Sequence, residues 1–172
     1  RPIGNPKRLI PLIMLITGMG VLALSVIVPA LPDLADELGV SRGAIGLVQG
    51  AVAVPGIVLA PYIGYLADRY GRRQVIRGSL IIMGVAGVAA FFARSFWPLV
   101  ALRFLQGFGT SGLLSLGVVV VGDLFTGLER RWAMGLNLAG LTIMTTFAPI
   151  LGGFLAEGGA FRPFLIFSVT AP

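Results

Sequence analysis

The chain has 172 residues, a mean hydropathy of +0.95 and only 12% charged residues, which excludes a water-soluble domain of ordinary surface polarity. It contains no cysteine and no histidine, so disulfides, zinc–histidine clusters and a Ser-His-Asp hydrolase triad are impossible within it. The net charge of +6 reads as arginines flanking membrane helices rather than as a nucleic-acid surface.

A spanning helix needs about 20 mostly apolar residues. The first such run is 9–31, with Pro11 at its start and Pro29 near its end, and Asp33, Asp36, Glu37 and Arg42 then mark an aqueous loop. The second run, 44–66, contains Pro55 and Pro61, which membrane helices tolerate when neighbours satisfy the freed backbone groups. A charged turn, GYLADRYGRR, leads into the third run, 75–93. The fourth spans 98–122, a polar stretch covers 123–131, the fifth spans 132–156, and 163–172 opens a sixth helix. The expected fold is therefore all-α and transmembrane. The chain starts at Arg1 rather than Met, shows no cleavable signal peptide and stops within that sixth helix, so it reads as part of a longer protein.

Lysine and arginine set the orientation. With a cytoplasmic N-terminus, the inner side holds Arg1, Lys7, Arg8, Arg69, Arg72, Arg73, Arg77, Arg130 and Arg131, and the outer side only Arg42, Arg94 and Arg162. That is the positive-inside bias of a multi-pass protein, and an inner (plasma) membrane is the expected location. The 25 glycines, many inside the helical runs, suggest close helix–helix approach, with Gly46/Gly50 and Gly135/Ala139 placing small residues four apart.

Three groups of residues carry chemistry. In the charged turn, Gly64 is expected to let another helix approach and Gly71 to supply a tight turn with positive φ. Asp68 is placed to pair with Arg72 or to accept from a helix N-terminus. In the fourth run, Arg103 lies in an apolar helix, where a charge costs at least ~2.5–3.5 kcal/mol near the centre. It must face a cavity or a partner, or else snorkel to the interface, and Gln106 lies one turn along on the same face. In the fifth run, Pro149 is placed to kink the helix and Gly135, Gly152 and Gly153 to pack it.

These segments resemble the major facilitator superfamily. Gly64, Leu66, Ala67, Asp68, Arg69, Gly71, Arg72 and Arg73 match that family's G-x-L-A-D-R-x-G-R-R loop between the second and third helices. The stretch GDLFTGLERRWAMG is similar to the loop after the fourth helix, with Asp123, Glu129 and Arg130. LRFLQGFG matches the family's L-R-x-x-Q-G-x-G, which carries Arg103 and Gln106. Around Pro149 the fifth helix is similar to the antiporter G-P-x-x-G pattern, except that Met144 and Ala148 replace two glycines. Ala23 stands where fourteen-helix antiporters often carry an aspartate.

The resemblance implies the N-terminal six-helix bundle of a major facilitator, two inverted three-helix repeats with the sixth helix incomplete and the C-terminal bundle outside the chain. It implies a secondary active transporter that moves a small organic solute by alternating access, with a drug or multidrug efflux antiporter expected. Gly64, Asp68, Arg69, Gly71, Arg72, Arg73, Asp123, Glu129 and Arg130 would form a conformational latch on the cytoplasmic side. The substrate or proton path would use Arg103 and Gln106, with Ser25, Thr142 and Thr146 as further hydroxyl candidates. Expected partners are a small-molecule substrate with proton coupling, the lipid bilayer, and a second bundle from the same protein or a second copy. No cofactor, metal, enzymatic activity or nucleic acid is expected. The rival reading is a non-transporting half-size module that acts as a scaffold or by dimerising, and the length of the encoding reading frame separates the two.

Overall fold

The computed structural model describes residues 9–170, and every regular element in it is helical. Helix α1 covers Ile10–Ser25, and a 3-10 turn at Val28–Ala30 joins it to α2, Leu31–Leu38. Pro29 lies in that turn, and a proline there removes one amide from the helical ladder. The joined stretch Ile10–Leu38 is long and apolar enough to span a membrane, as are Arg42–Leu59, Arg72–Phe91, Phe96–Leu124 and Gly127–Ala156. The chain is a multi-pass membrane protein.

The acidic stretch expected as a loop is helical. Leu34 and Ala35 are buried while Asp33, Asp36 and Glu37 are exposed, so α2 is a short amphipathic helix whose charges ride its wet face. Gly39, at φ +65°, ends it. The Ser41 hydroxyl then accepts from the Ala44 amide at 3.1 Å and starts α3, Arg42–Tyr70, which runs unbroken through Pro55 and Pro61. Gly71, at φ +87°, makes the whole turn to α4, Arg72–Phe91, so the positive φ expected of it is present.

Helix α5, Phe96–Leu124, and α6, Gly127–Ala156, are also longer than the apolar runs suggest. Only Phe125 and Thr126 separate them, and most of the polar stretch 123–131 is helical. Phe125 is buried and pins the turn, and Glu129 falls in the first turn of α6, where the helix dipole favours an acid. The sixth helix expected to open at 163 is not α-helical over the described residues. Arg162–Thr170 is a 3-10 segment in which the Phe164 amide donates to the Phe161 oxygen three residues back, at 3.1 Å. Three residues per turn align Phe161, Phe164 and Phe167 on one side, and all three are buried against the core.

Helix α5 is the axis of the bundle, packed by α3, α4 and α1, while α6 lies mainly on α1 and the 3-10 segment on α4. Its glycines explain the close fit. A Cβ on Gly107 would strike the Val52 oxygen and Pro55, one on Gly109 the Ser79 oxygen, and one on Gly117 the Thr17 side chain. Gly152 of α6 meets the Val26 main chain in the same way. The glycines singled out by spacing behave differently: at Gly46, Gly50, Gly64 and Gly135 an added Cβ would meet nothing within 4 Å among the described residues. Four-residue spacing marks a face, but only the packing partner decides whether that face is filled.

Candidate functional site

Two clusters stand out, one at an end of the bundle and one within it. The first gathers around the Gly71 turn. Arg72, the first residue of α4, forms an ion pair with Asp123, next to last in α5, and its second Nη lies 3.9 Å from Asp68 of α3. The turn thus brings three helix ends together through one guanidinium. Arg72 and Asp123 are partly exposed, at 32% and 41%, whereas Asp68 at 76% is largely solvated, so Asp123 is the stronger partner. Arg130 of α6 reaches back over Gly122, where a Cβ would come within 3.3 Å of its Nη2. Arg69 donates to the Tyr65 hydroxyl at 3.1 Å and sits 5.5 Å from the Tyr70 ring centroid. Glu129 is exposed in the first turn of α6. Gly64 lines no helix contact among the described residues, so its expected role in helix approach finds no partner within them.

The second cluster centres on Arg103, which is completely buried some 10 Å along α5 from its first turn, at ~1.5 Å per residue. Its Nε donates to the Val48 oxygen at 3.3 Å, Nη1 to Gln106 Oε1 at 2.6 Å, and Nη2 to the Ala23 oxygen at 3.1 Å and Gln49 Oε1 at 3.3 Å. The guanidinium lies 5.8 Å from the Phe164 ring centroid. Of the three options left by the sequence, a cavity, a partner or snorkelling to the interface, the geometry selects the partner. One cation ties α1, α3 and α5 together under an aromatic lid, using the planar fork that only arginine provides. All its acceptors are neutral oxygens, and no carboxylate shares the site among the described residues.

Gln106 belongs to the same network, its Nε2 donating to the Met83 oxygen of α4 at 3.5 Å. Gln49 was not singled out by sequence, yet it bridges Arg103 and the Leu24 oxygen of α1. An amide in the middle of an apolar run was the available signal, because it needs a partner there. The same signal attends Asn137, whose Oδ1 accepts from the Thr17 hydroxyl at 2.8 Å and joins α6 to α1.

The other hydroxyl candidates lie apart from this network. Ser25 ends α1, half-buried, with no side-chain hydrogen bond among the described residues. Thr142 and Thr146 are on the exposed side of α6, and each hydroxyl donates to the carbonyl four residues back, at 3.0 and 2.9 Å. Between Leu24, Val52, Gly56, Thr110 and Ser111, at mid-length of α3 and α5, lies an open hollow of about 230 Å³ that carries no charged side chain. Helix α6 is continuous through Pro149, with Gly152 tight against Val26, and a Cβ on Gly153 would lie 3.9 Å from Pro29.

The chain is similar to proteins named as an exporter and as multidrug resistance proteins. The chain is 32% identical over 151 residues to the bacillibactin exporter of Bacillus subtilis, covering 81% of this chain and 37% of that protein. It is 31% identical over 148 residues to multidrug resistance protein D of Escherichia coli, covering 86% of this chain and 38% of that protein. Multidrug resistance protein MdtG of Yersinia enterocolitica is 32% identical over 154 residues, covering 87% of this chain and 36% of that protein. The chain thus spans less than two-fifths of the length of these relatives. The family model of the Major Facilitator Superfamily matches residues 13–171, nearly the whole chain, and the protein whose Arg72 meets Asp123 across the Gly71 turn belongs to that superfamily of transporters.

Proposed function

We propose that the chain is the N-terminal bundle of a secondary active transporter that exports a small, largely apolar organic solute by alternating access. The observation that carries this reading is the Arg72–Asp123 pair: an ionic fastener between two helix ends on one face of the bundle. A partly exposed ion pair is worth only ~0–1 kcal/mol, weak enough to open and re-form in every transport cycle. The residues of the α3–α4 turn and of the α5–α6 turn, with Glu129 and Arg130, act together as this latch on the cytoplasmic face, and the N-terminus is cytoplasmic in an inner membrane. A second bundle, from the same protein or from a second copy, supplies the other wall of the transport path and covers the open positions Gly46, Gly50 and Gly64 of α3 and Gly135 of α6.

Arg103 and Gln106 brace the helices beside the path rather than lining it openly in this conformation, and the uncharged hollow by Thr110 and Ser111 faces the solute. The efflux assignment draws on the names of the relatives, and the apolar lining agrees with it. Asp68 and Asp123 both lie at helix ends, so proton coupling by antiport draws on acidic groups of the second bundle, or on Arg103 with the solute itself.

The test is export by the intact protein in a host stripped of its own efflux pumps, followed with a lipophilic fluorescent dye. Dye should leave against its gradient, and a protonophore should stop it. Dye retention equal to the empty host, across cationic, neutral and anionic dyes, would reject export as the activity.

A further inference from the structure

Helix α1 stops where nothing in its own sequence requires it to. Its last ladder bond runs from the Val26 amide to the Leu22 oxygen at 3.0 Å, and the next, from the Ile27 amide to the Ala23 oxygen, is not made. Pro29 does not account for the gap. A proline withholds only its own amide, so Pro29 leaves the Ser25 oxygen unserved, two residues beyond Ala23. Prolines elsewhere in the bundle do not break their helices: α3 runs through Pro55 and Pro61, and α6 through Pro149. The gap also lies deep in the protein, with Ala23, Val26 and Ile27 fully buried. A main-chain oxygen in such a place must find its donor within the bundle.

The donors are side chains. Arg103 Nη2 donates to the Ala23 oxygen at 3.1 Å, and Gln49 Nε2 donates to the Leu24 oxygen beside it. Gln49 Oε1 accepts from the same guanidinium at 3.3 Å, so the two side chains hold each other as well as the helix end. A cation suits that position, because the carbonyl end of a helix carries partial negative charge. We propose that Arg103 and Gln49 hold α1 broken, and that the break is a two-state joint. When the guanidinium withdraws, the Ile27 amide takes the Ala23 oxygen, α1 runs on toward α2, and α2 swings. The Ala23 oxygen has a donor in both states, so neither leaves it orphaned in the membrane interior. An anionic oxygen is a stronger acceptor for arginine than a neutral carbonyl, so an acid brought to Arg103 throws the joint. Its place in an export cycle rests on the function proposed above; the joint itself does not.

Spin labels on two exposed residues at that end of the bundle read the joint: Asp36→Cys on α2 and Glu157→Cys at the end of α6. Helix α6 is the reference, because Gly152 sits against the Val26 main chain just before the gap. Distances are measured in the intact protein in nanodiscs, with any cysteine outside these residues replaced by serine. From Ile27 to Asp36 is ~14 Å of helix at ~1.5 Å per residue, so a bend of ~20° moves the label by about 5 Å. The parent should give one distance. Gln49→Met, which leaves Arg103 three of its four bonds, and Arg103→Lys should each add a second population displaced by about 5 Å. Adding Ile27→Pro to either variant removes the amide that replaces Arg103 and should restore the single parental distance. Lost packing would broaden the distances with or without the proline, so the rescue separates a joint from damage. A single parental distance in both weakened variants overturns the proposal, and so does a second population that survives Ile27→Pro. Because the readout is a distance, a protein that exports nothing can still pass, and one that exports well can still fail.

Discussion

The guanidinium of Arg103 on α5 donates to the main-chain oxygen of Ala23 on α1 at 3.1 Å, a bond between residues eighty positions apart inside the spanning part of the bundle. The same group reaches Val48 and Gln49 on α3, so its removal frees three helices at once. Truncation to Arg103→Ala should cost on the order of 2 kcal/mol, from four bonds at the ~0.6 kcal/mol typical inside membranes. Arg103→Lys keeps the charge, but a single ammonium cannot serve acceptors on α1, α3 and α5 in the fork geometry. We expect Arg103→Ala to abolish export and Arg103→Lys to restore only a minor part, with the unfolding midpoint of the purified protein falling in the same order. Export by Arg103→Ala at the parent rate with an unchanged midpoint would show that the network is dispensable.

The latch makes a separate prediction, because its two acids are unequal. Asp123 pairs with Arg72 directly, and Asp68 stands 3.9 Å away and largely solvated. Asp123→Asn and Asp68→Asn should each leave insertion intact and stability within about 1 kcal/mol of the parent, since exposed ion pairs contribute little. Both should slow export, Asp123→Asn more. The charge swap Arg72→Asp with Asp123→Arg should recover part of the rate lost by either single change, which a topology signal alone would not do. Initial export rates at equal membrane expression provide the measurement, and a swap no faster than its parents would remove the pair from the cycle.

Much of this arrangement was legible in the residue order, and the reasons for the remainder are physical. Gly71, Asp68 and the paired arginines are contiguous, so a local reading could foresee the turn and its positive φ. Arg103 and Gln106 share a helix face at a spacing of three, so their mutual bond was foreseeable too. Gln49, Val48 and Ala23 were not, because the oxygens that Arg103 selects are set by how α1 and α3 cross α5. Charge misled at the helix ends. Asp33 to Glu37 and the stretch after Asp123 look like loops when polarity is read alone, but buried Leu34 and Phe125 hold both to the bundle. Thr142 and Thr146 misled for a related reason: hydroxyls in an apolar helix satisfy themselves on the preceding turn, so their presence alone does not mark a path.

Glycine contacts give a prediction in which two identical substitutions part company. A methyl at Gly152 would collide with the Val26 main chain, which cannot move aside as a flexible side chain could, so α6 must shift off α1. Gly152→Ala should cost ~1–3 kcal/mol, the usual range for overpacking. At Gly64 a methyl meets nothing within 4 Å among the described residues, and the exchange should be neutral or stabilising by up to ~1 kcal/mol from helix propensity. If Gly64→Ala keeps the unfolding midpoint but loses export, the Gly64 side of α3 is where the second bundle docks. Equal midpoints for the two variants would contradict the packing of α6 on α1.

Topology supplies the last prediction, and these 172 residues contribute no cysteine of their own to the labelling background. Asp36 is exposed on the wet face of α2, and Thr126 is exposed in the two-residue turn between α5 and α6. Helix α3 carries the chain from the end of α2 to the Gly71 turn, and α4 and α5 carry it across and back, so the two positions lie at opposite ends of the bundle. In the orientation proposed above from the arginine bias, the Thr126 end is cytoplasmic. Single substitutions Asp36→Cys and Thr126→Cys should therefore split under a membrane-impermeant thiol reagent added to intact cells. Position 36 should label and position 126 should stay protected until the membrane is permeabilised. Labelling of 126 alone from outside would invert the protein and move the Arg72–Asp123 latch to the external face. Labelling of both would place one of the five spans wrongly and break the path from α2 to α6.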